Sequence, residues 1–281
     1  MPFTTSKEVR LSKIIDPVDG KAVVVAADHG MMLGPVKGVL NLEATLKNVV
    51  KGSPDAILLS FGQASRLNYI FQMENKISFI VRADWTNYGR LGARPVPASQ
   101  VKHKMMVRPR SALVLGASAI LTYFFIGYEN DEEEAEHFEK IAKIARECDK
   151  LNLPLIVEPI PTGPKLTSTN IIDLIAISVR MVIEAGADAI KAPYFLSGLP
   201  PNENPYRKVV KAASGVPVLI LGGAKMANER KILELLDEAL KIDISGVVFG
   251  RNIIQSADPV HILRIIRRMV HEGASIDEVL S

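Results

Sequence analysis

Short runs of apolar residues, rich in valine and isoleucine, recur along the chain, and each is bounded by glycine, proline or aspartate. Within a run the apolar positions are continuous rather than alternating, which is typical of strands buried on both faces of a parallel sheet. The pattern predicts eight strands: Ala22–Asp28, Ala56–Phe61, Ile77–Ala83, Ala119–Phe125, Leu155–Pro159, Ala189–Pro193, Pro217–Leu221 and Gly246–Phe249.

Between these runs, apolar residues recur at helical spacing. Glu132–Leu151 is predicted as a helix because Ile141 and Ile144 share an apolar face opposite charged residues. Pro259–Glu272 is predicted as another, with Asp258 as its N-cap and proline at its first position. Further helices are predicted over Asn170–Ala185, Met226–Lys241, Leu42–Lys51 and Arg110–Leu115.

Strands that alternate with helices, with no break in composition, predict a single (β/α)8 TIM barrel of the α/β class. The domain is expected to span residues 1–281, with a short N-terminal extension over about 1–20. A doubly wound sheet is the alternative, but it usually has fewer βα units at this length. The irregular segment Trp85–Val107 follows the third strand and is expected to be a βα loop on the active-site side or an oligomer contact.

Composition narrows the classes of function. The 34 basic and 31 acidic residues leave a net charge of +3, too small to predict a nucleic-acid partner. The single cysteine, Cys148, excludes an intrachain disulfide and a cysteine-based metal cage. No apolar h-region is seen in Met1–Ser12, and no apolar run reaches the roughly 18–20 residues of a membrane span. We therefore expect a cytoplasmic protein with no membrane partner.

Lys191 is the most informative single residue because it lies inside an apolar strand. A lysine in a barrel interior is expensive to keep charged, which favours the neutral amine. Such an amine can attack a carbonyl and form a Schiff base. The alternative is a lysine that snorkels at the strand end or pairs with a carboxylate.

Polar residues that end other strands are expected near the same barrel mouth. Asp28 can hold Lys191 or a substrate hydroxyl, while His29 can move a proton at neutral pH. Glu158 ends the fifth strand and is either an acid–base group or the partner of Lys191. Structural roles, as a turn residue, a satisfied histidine or an ion pair, are the alternatives.

Glycines at the ends of the last two strands suggest a phosphate site. In many barrels the loops after strands seven and eight hold phosphate with backbone N–H groups. Tight turns that simply need glycine are the alternative. The candidate phosphate-binding residues are Ser197, Gly198, Gly222, Gly223, Gly250 and Arg251.

The remaining candidates are weaker. Tyr123, Arg82 and Asp84 lie near strand ends and either line the cavity or are packing and rim residues. The other histidines show no metal-ligand spacing and are expected at the surface or at helix ends: His103, His137, His261 and His271. Walker A, GxGxxG, GxSxG and HExxH motifs are absent, so the enzyme classes that use them lack their signatures.

Four segments, in order, carry a resemblance: AADHGMMLGP, DAIKAPYF, LILGGAK and GVVFGRNIIQ. Together they resemble the archaeal-type class I fructose-bisphosphate aldolases, in a superfamily with deoxyribose-phosphate aldolase, aminodideoxyheptulosonate synthase and the autoinducer-2 phosphate thiolase. The resemblance runs from about Asp16 to Gln255. It implies a homo-oligomeric barrel and a Schiff-base mechanism on phosphorylated sugars that needs no metal or cofactor. It also implies that Lys191 is the Schiff-base lysine and that Asp28 is the acidic residue of the first strand.

One departure from the aldolases concerns the fifth strand. They carry a catalytic tyrosine there in a Tyr-Pro-Arg-Gly context, whereas this chain has Ile160–Gly163 (IPTG). Either Glu158, His29 or Tyr123 replaces the phenol, or the reaction is not cleavage of fructose bisphosphate. The thiolase relatives also lack this tyrosine.

The main hypothesis is therefore a class I aldolase that cleaves or forms a C–C bond in a small phosphorylated ketose such as fructose 1,6-bisphosphate. The first alternative is a thiolase-like acyltransferase in which His29 and Lys191 act on a phosphorylated dicarbonyl, with coenzyme A as co-substrate. The second is a sugar-phosphate-binding barrel without catalysis.

Overall fold

The computed structural model describes residues 5–73, 77–92 and 96–281. Within these ranges the strands are β1 (Ala22–Ala26), β2 (Ala56–Ser60), β3 (Ser78–Arg82), β4 (Asp84–Thr86), β5 (His103–Met105), β6 (Ala119–Ile126), β7 (Leu155–Pro161), β8 (Ala189–Pro193), β9 (Val218–Leu221) and β10 (Gly246–Phe249). All except β4 and β5 pair in parallel and close into a barrel in the order β1–β2–β3–β6–β7–β8–β9–β10. The predicted TIM barrel is confirmed, and the closed sheet excludes the doubly wound alternative.

Helices separate the barrel strands, as predicted. In the described residues the α-helices are Ser6–Leu11, Gly30–Leu33, Leu42–Val49, Phe61–Leu67, Tyr69–Met73, Pro109–Val114, Asp131–Leu151, Ile171–Glu184, Arg207–Ala213, Glu229–Leu240, Arg251–Ile254, Pro259–Glu272 and Ile276–Leu280. Short 3₁₀ turns span Val50–Gly52 and Tyr88–Arg90. None of the helices in the described part of the chain combines the length and apolarity needed to cross a membrane.

Alternation along each strand divides the core into two. In β1, Val24 packs with residues such as Leu58 and Ile80 in the cluster that fills the barrel. Val23 and Val25, on the opposite face, belong to the larger cluster between strands and helices. Both faces of the strands are therefore buried, which explains their continuous apolar runs.

The N-terminal extension closes one end of this barrel. Helix Ser6–Leu11 begins with a capping box between Thr5 and Glu8. The chain then inserts Ile14 and Ile15 into the cluster that fills the barrel interior. Since these isoleucines contact the layer formed by the starts of the strands, the opposite, carboxyl end is left for a binding site.

The irregular segment after β3 forms a hairpin at the carboxyl end. Strands β4 and β5 are antiparallel, with Thr86 opposite His103. The side chain of Asn87 accepts a hydrogen bond from Lys102 N and donates one to Gln100 O, which ties the two arms together. Residues 93–95 of this predicted loop lie outside the described residues.

Candidate active site

A polar layer lies directly above the apolar filling of the barrel. Side chains alternate along a strand, so a residue two positions beyond an inward-facing one also faces inward. Ala26, Ile80, Leu121, Ile156 and Ala189 all belong to the interior cluster. The residues two positions beyond them are Asp28, Arg82, Tyr123, Glu158 and Lys191, and all five are buried.

Arg82 lies at the centre of this layer. Its Nε donates a hydrogen bond to Asp28 Oδ2 at 2.7 Å, and its Nη2 donates one to Glu158 Oε2 at 2.8 Å. The guanidinium also stacks on the ring of Tyr123, 4.1 Å from the centroid. Only 1% of the residue is exposed, so a rim position is wrong. Arg82 links the ends of β1 and β7 through the barrel interior.

Lys191 reaches the same carboxylate. Its Nζ donates a hydrogen bond to Glu158 Oε2 at 2.9 Å, so this oxygen accepts from both Lys191 and Arg82. Of the two partners considered for the lysine, the structure selects Glu158, while Asp28 is held by Arg82. A proton on Nζ therefore has an acceptor already in contact with it.

This environment lowers the pKa of both Asp28 and His29. Burial opposes ionisation of Asp28, but the positive charges of Arg82 and Lys191 outweigh it and hold the pKa of Asp28 below its usual value. Burial and the charges of Lys191 and Arg251 lower the pKa of His29, against the attraction of Asp28. At neutral pH the site thus combines a carboxylate with a neutral imidazole.

A cavity of 340 Å³ lies above the polar layer, and the catalytic candidates Asp28, His29, Glu158 and Lys191 all line it. Two segments outside the barrel strands contribute as well. Met32 and Leu33 come from the loop after β1, and Tyr88 and Gly89 come from the hairpin segment after β3. The other lining residues include Tyr123, Ile160, Pro161, Leu166, Ile171, Pro193 and Phe195.

Glycines from the last two strands form the opposite side of the cavity, where Gly222, Gly223, Gly250 and Arg251 are part of the lining. Gly223 has a φ of +63°, which favours glycine. A Cβ at Gly250 would lie 2.2 Å from His29 Cε1, so the absence of a side chain lets the imidazole approach.

Arg251 is a half-buried cation at this end of the cavity. Its Nε is buried and has no hydrogen-bond partner among the residues that the structure describes. Burial lowers its pKa, since the charge loses hydration. An anionic group in the cavity would compensate this charge.

Ser197 and Gly198 lie elsewhere. Their backbone N–H groups donate to the carboxylate of Glu238, at 2.8 and 2.9 Å, and the Ser197 hydroxyl donates to it too. Neither residue lines the cavity beside Lys191. Because the donors proposed for phosphate are already bound by a carboxylate of the chain, the structure does not bring these two residues to the phosphate end.

The expectation for two histidines was wrong. His103 and His137 are buried, with ring centroids 4.6 Å apart, rather than at the surface or a helix end. The β4–β5 hairpin brings His103 Nε2 to Asp84 Oδ2, and burial lowers the pKa of His137 to about 3. Asp84 therefore already has His103 as a partner, and Asp84 does not line the cavity. By contrast, His261 is exposed.

The family model of the DeoC/LacD family aldolases matches residues 22–256. This chain belongs to that family. It is therefore an enzyme, a lyase of the aldolase class, and the resemblance identified from its sequence is confirmed.

Relatives of this DeoC/LacD family aldolase cover nearly its whole length. This chain is 31% identical over 274 residues to an uncharacterized aldolase of Saccharolobus solfataricus, and the match covers 97% of each chain. It is 27% identical to a 2-amino-4,5-dihydroxy-6-oxo-7-(phosphonooxy)heptanoate synthase of Streptomyces griseus, covering 98% of this chain and 93% of the relative. A solved Schiff-base-forming fructose-1,6-bisphosphate aldolase matches with a TM-score of 0.77 and 26% identity, over 95% of this chain and 100% of that one.

Proposed function

We propose that this aldolase forms a Schiff base between Lys191 and the carbonyl of a small phosphorylated ketose. The observation that carries the proposal is the buried contact of Lys191 Nζ with Glu158 Oε2 at the floor of the cavity. Similarity to a solved Schiff-base-forming fructose-1,6-bisphosphate aldolase supports it. Ketose phosphates such as fructose 1,6-bisphosphate are the proposed substrate class.

Glu158 prepares the lysine for attack. The carboxylate accepts the proton of the Lys191 ammonium, and the free amine adds to the substrate carbonyl to give a carbinolamine. Loss of water then gives the iminium. Arg82 stays bound to Glu158 throughout, which keeps the acceptor oriented toward Nζ.

Asp28 serves as the base for cleavage. It is held ionised by Arg82 and lines the cavity. It accepts the proton of the hydroxyl on the far carbon of the scissile bond. The electrons of the C–C bond move to the iminium nitrogen, the aldehyde leaves, and an enamine remains on Lys191.

The phosphate group is assigned to the end of the cavity formed by Gly222, Gly223, Gly250 and Arg251. Arg251 offers a buried Nε without a partner among the described residues, and a phosphate oxygen is the acceptor that such a guanidinium binds best. Anchoring the phosphate there leaves the carbonyl to be presented to Lys191.

A thiolase-like acyl transfer is the second candidate, and His29 favours it. Its imidazole is neutral and lines the cavity together with Lys191, so it is available as a base for a thiol such as coenzyme A. Acyl-coenzyme A formed from a phosphorylated dicarbonyl would identify this reaction, whereas release of an aldehyde without a thiol would identify the aldolase.

The deciding experiment is a panel of ketose phosphates incubated with the enzyme and borohydride, followed by mass spectrometry of the peptides. We expect a reduced adduct on Lys191 with at least one compound, and none in Lys191→Met. Lys208→Met, which changes an exposed lysine, is the matched control and should retain the adduct. Failure of every compound to label the wild-type enzyme at Lys191 would exclude the Schiff-base reaction.

A further inference from the structure

We propose that Tyr88 is the group that protonates the enamine carbon in this aldolase, an inference that rests on the Schiff-base function proposed above. Cleavage leaves a carbon nucleophile attached to Lys191, and the cycle closes only when that carbon receives a proton. The question is therefore which protonated side chain of the cavity is placed to give it.

Tyr88 and Ile160 share one apolar cluster and one cavity wall. Phe125 and Ile160 are paired residues of β6 and β7. The ring of Tyr88 packs on Phe125 with centroids 5.5 Å apart, in the same apolar cluster as Ile160. Both Tyr88 and Ile160 line the cavity. A tyrosine from a different loop thus packs against the cluster that contains Ile160, although position 160 itself carries no polar group.

The turn that carries Tyr88 is fixed by its own contacts. The backbone N–H of Tyr88 donates to Thr86 Oγ1 at 3.0 Å. Asn87 bridges to the other arm of the hairpin through Gln100 O and Lys102 N. A Cβ at Gly89 would lie 2.6 Å from Leu33 Cδ2, so glycine allows the turn to lie directly on the loop after β1.

The two carboxyl groups of the cavity and its second phenol are already engaged. Asp28 and Glu158 each accept from Arg82, and Glu158 also accepts from Lys191. The ring of Tyr123 lies under the Arg82 guanidinium, and its hydroxyl donates to the sulfur of Met32 at 3.3 Å. Both carboxylates are thus acceptors held by cations, and the second phenol has a partner.

Tyr88 is neither an acceptor held by a cation nor, within the described residues, a phenol with a hydrogen-bond partner. Across residues 5–71, 77–92 and 96–281, no side chain forms a hydrogen bond with its hydroxyl. Burial, together with the negative charge of Glu158, raises the pKa of Tyr88, so the phenol is protonated at neutral pH. It is a proton donor whose hydroxyl is free to face a substrate.

The step balances without a further reactant. The enamine carbon takes the phenolic proton of Tyr88, which gives an iminium on Lys191 and a tyrosinate. Water then adds to the iminium carbon and gives its proton to the tyrosinate, which forms a carbinolamine and restores the phenol. The carbinolamine hydroxyl then passes its proton to the nitrogen as the C–N bond breaks, which releases the ketone and the Lys191 amine. The proton that Asp28 accepted at cleavage returns to that amine.

The test is Tyr88→Phe, which keeps the ring packed on Phe125. With the ketose phosphate that labels the wild-type enzyme, we expect turnover to fall about 100-fold or more, the range of general acid catalysis. Borohydride labelling of Lys191 should stay within about twofold of the wild type. Exchange of the enamine-derived C–H with deuterium from solvent, measured by NMR on dihydroxyacetone phosphate, should fall together with turnover.

Tyr69→Phe, on the helix Tyr69–Met73, is the matched control and should retain wild-type turnover and exchange. Retained labelling in Tyr88→Phe shows that the variant is folded and still forms the imine. Wild-type turnover and exchange in Tyr88→Phe would overturn the role of Tyr88 alone. Absence of labelling in the wild-type enzyme itself would overturn the Schiff-base function and this role with it.

Discussion

Lys191 and Glu158 form a buried ion pair in which Nζ lies 2.9 Å from Oε2, with 7% and 4% of the two side chains exposed. Arg82 donates to the same oxygen at 2.8 Å. One carboxylate therefore contacts two buried cations, of which Arg82 also binds Asp28. Removing that carboxylate and removing Arg82 should have different consequences, one mainly for catalysis and the other mainly for stability.

Replacing Glu158 with glutamine should slow the first chemical step. The amide keeps the shape of the side chain but cannot accept the proton of Lys191, so kcat/KM for cleavage should fall about 100- to 10,000-fold. The rate of borohydride labelling at Lys191 should fall in parallel. Glu234→Gln, on an exposed helix pair with Arg230, serves as the control. Labelling of Glu158→Gln at the wild-type rate would show that another group accepts the proton.

Replacing Arg82 with methionine should destabilise the barrel. The change leaves Asp28 and Glu158 buried without their common cation, and breaking a buried ion pair costs about 3–5 kcal/mol. Urea unfolding measures the loss. Arg180→Met breaks an exposed pair with Glu184 and should cost less than about 1 kcal/mol. Equal losses in the two variants would contradict a central role for Arg82.

The strands and the inward position of Lys191 could be predicted from sequence because their signals are local. Continuous apolar runs mark strands buried on both faces, and alternation along β8 places Lys191 in the same direction as Ala189. Likewise, Glu158 is two residues beyond the inward-facing Ile156. The position of these groups in the barrel therefore follows from counting along single strands.

Their partners could not be predicted, because the contacts cross the barrel. Arg82 ends β3 and binds residues at the ends of β1 and β7, neither of which pairs with β3. The spacing of residues along the sequence does not predict which strands face each other across a closed sheet. The burial of His103 could not be predicted for a related reason. Its segment has no regular periodicity, and only the folded hairpin shows that His103 packs on His137.

Arg251 should govern affinity for the phosphate group. In Arg251→Met the buried guanidinium is lost, so KM for the ketose phosphate should rise about 10- to 100-fold, as expected for a hydrogen bond to a charged group. The effect on kcat should be smaller, because the guanidinium is proposed to bind the phosphate group and not the reacting carbonyl. Arg264→Met, on an exposed helix face, is the control. Unchanged KM in Arg251→Met would place the phosphate elsewhere.

His271 should make stability depend on pH. Hydrogen bonds to Asp55 and Asp19, at 3.0 and 2.7 Å, raise its pKa above 6.5 despite partial burial. The protonated imidazole is favoured in the folded state, so its contribution is fully present below pH 6.5 and is lost as pH rises through the folded pKa. The free energy of unfolding should therefore fall with rising pH above 6.5, and the fall should be smaller in His271→Gln. Identical pH profiles of stability for His271→Gln and the wild type would contradict this linkage. His261→Gln, which changes an exposed histidine, is the control and should leave the profile unchanged.

Gly250→Ala should test how closely His29 packs on the end of β10. The new Cβ would lie 2.2 Å from His29 Cε1 and 2.9 Å from the backbone oxygen of Ala26, so both the imidazole and the strand end must shift. Overpacking of this kind costs about 1–3 kcal/mol, which urea unfolding measures. Because His29 and Arg251 both line the cavity beside Gly250, affinity for the ketose phosphate should fall as well. Gly62→Ala, where no atom lies within 4 Å of the added Cβ, should retain both stability and affinity. Wild-type stability in Gly250→Ala would mean that the imidazole moves aside at no cost, and the position of His29 would then not be fixed by this contact.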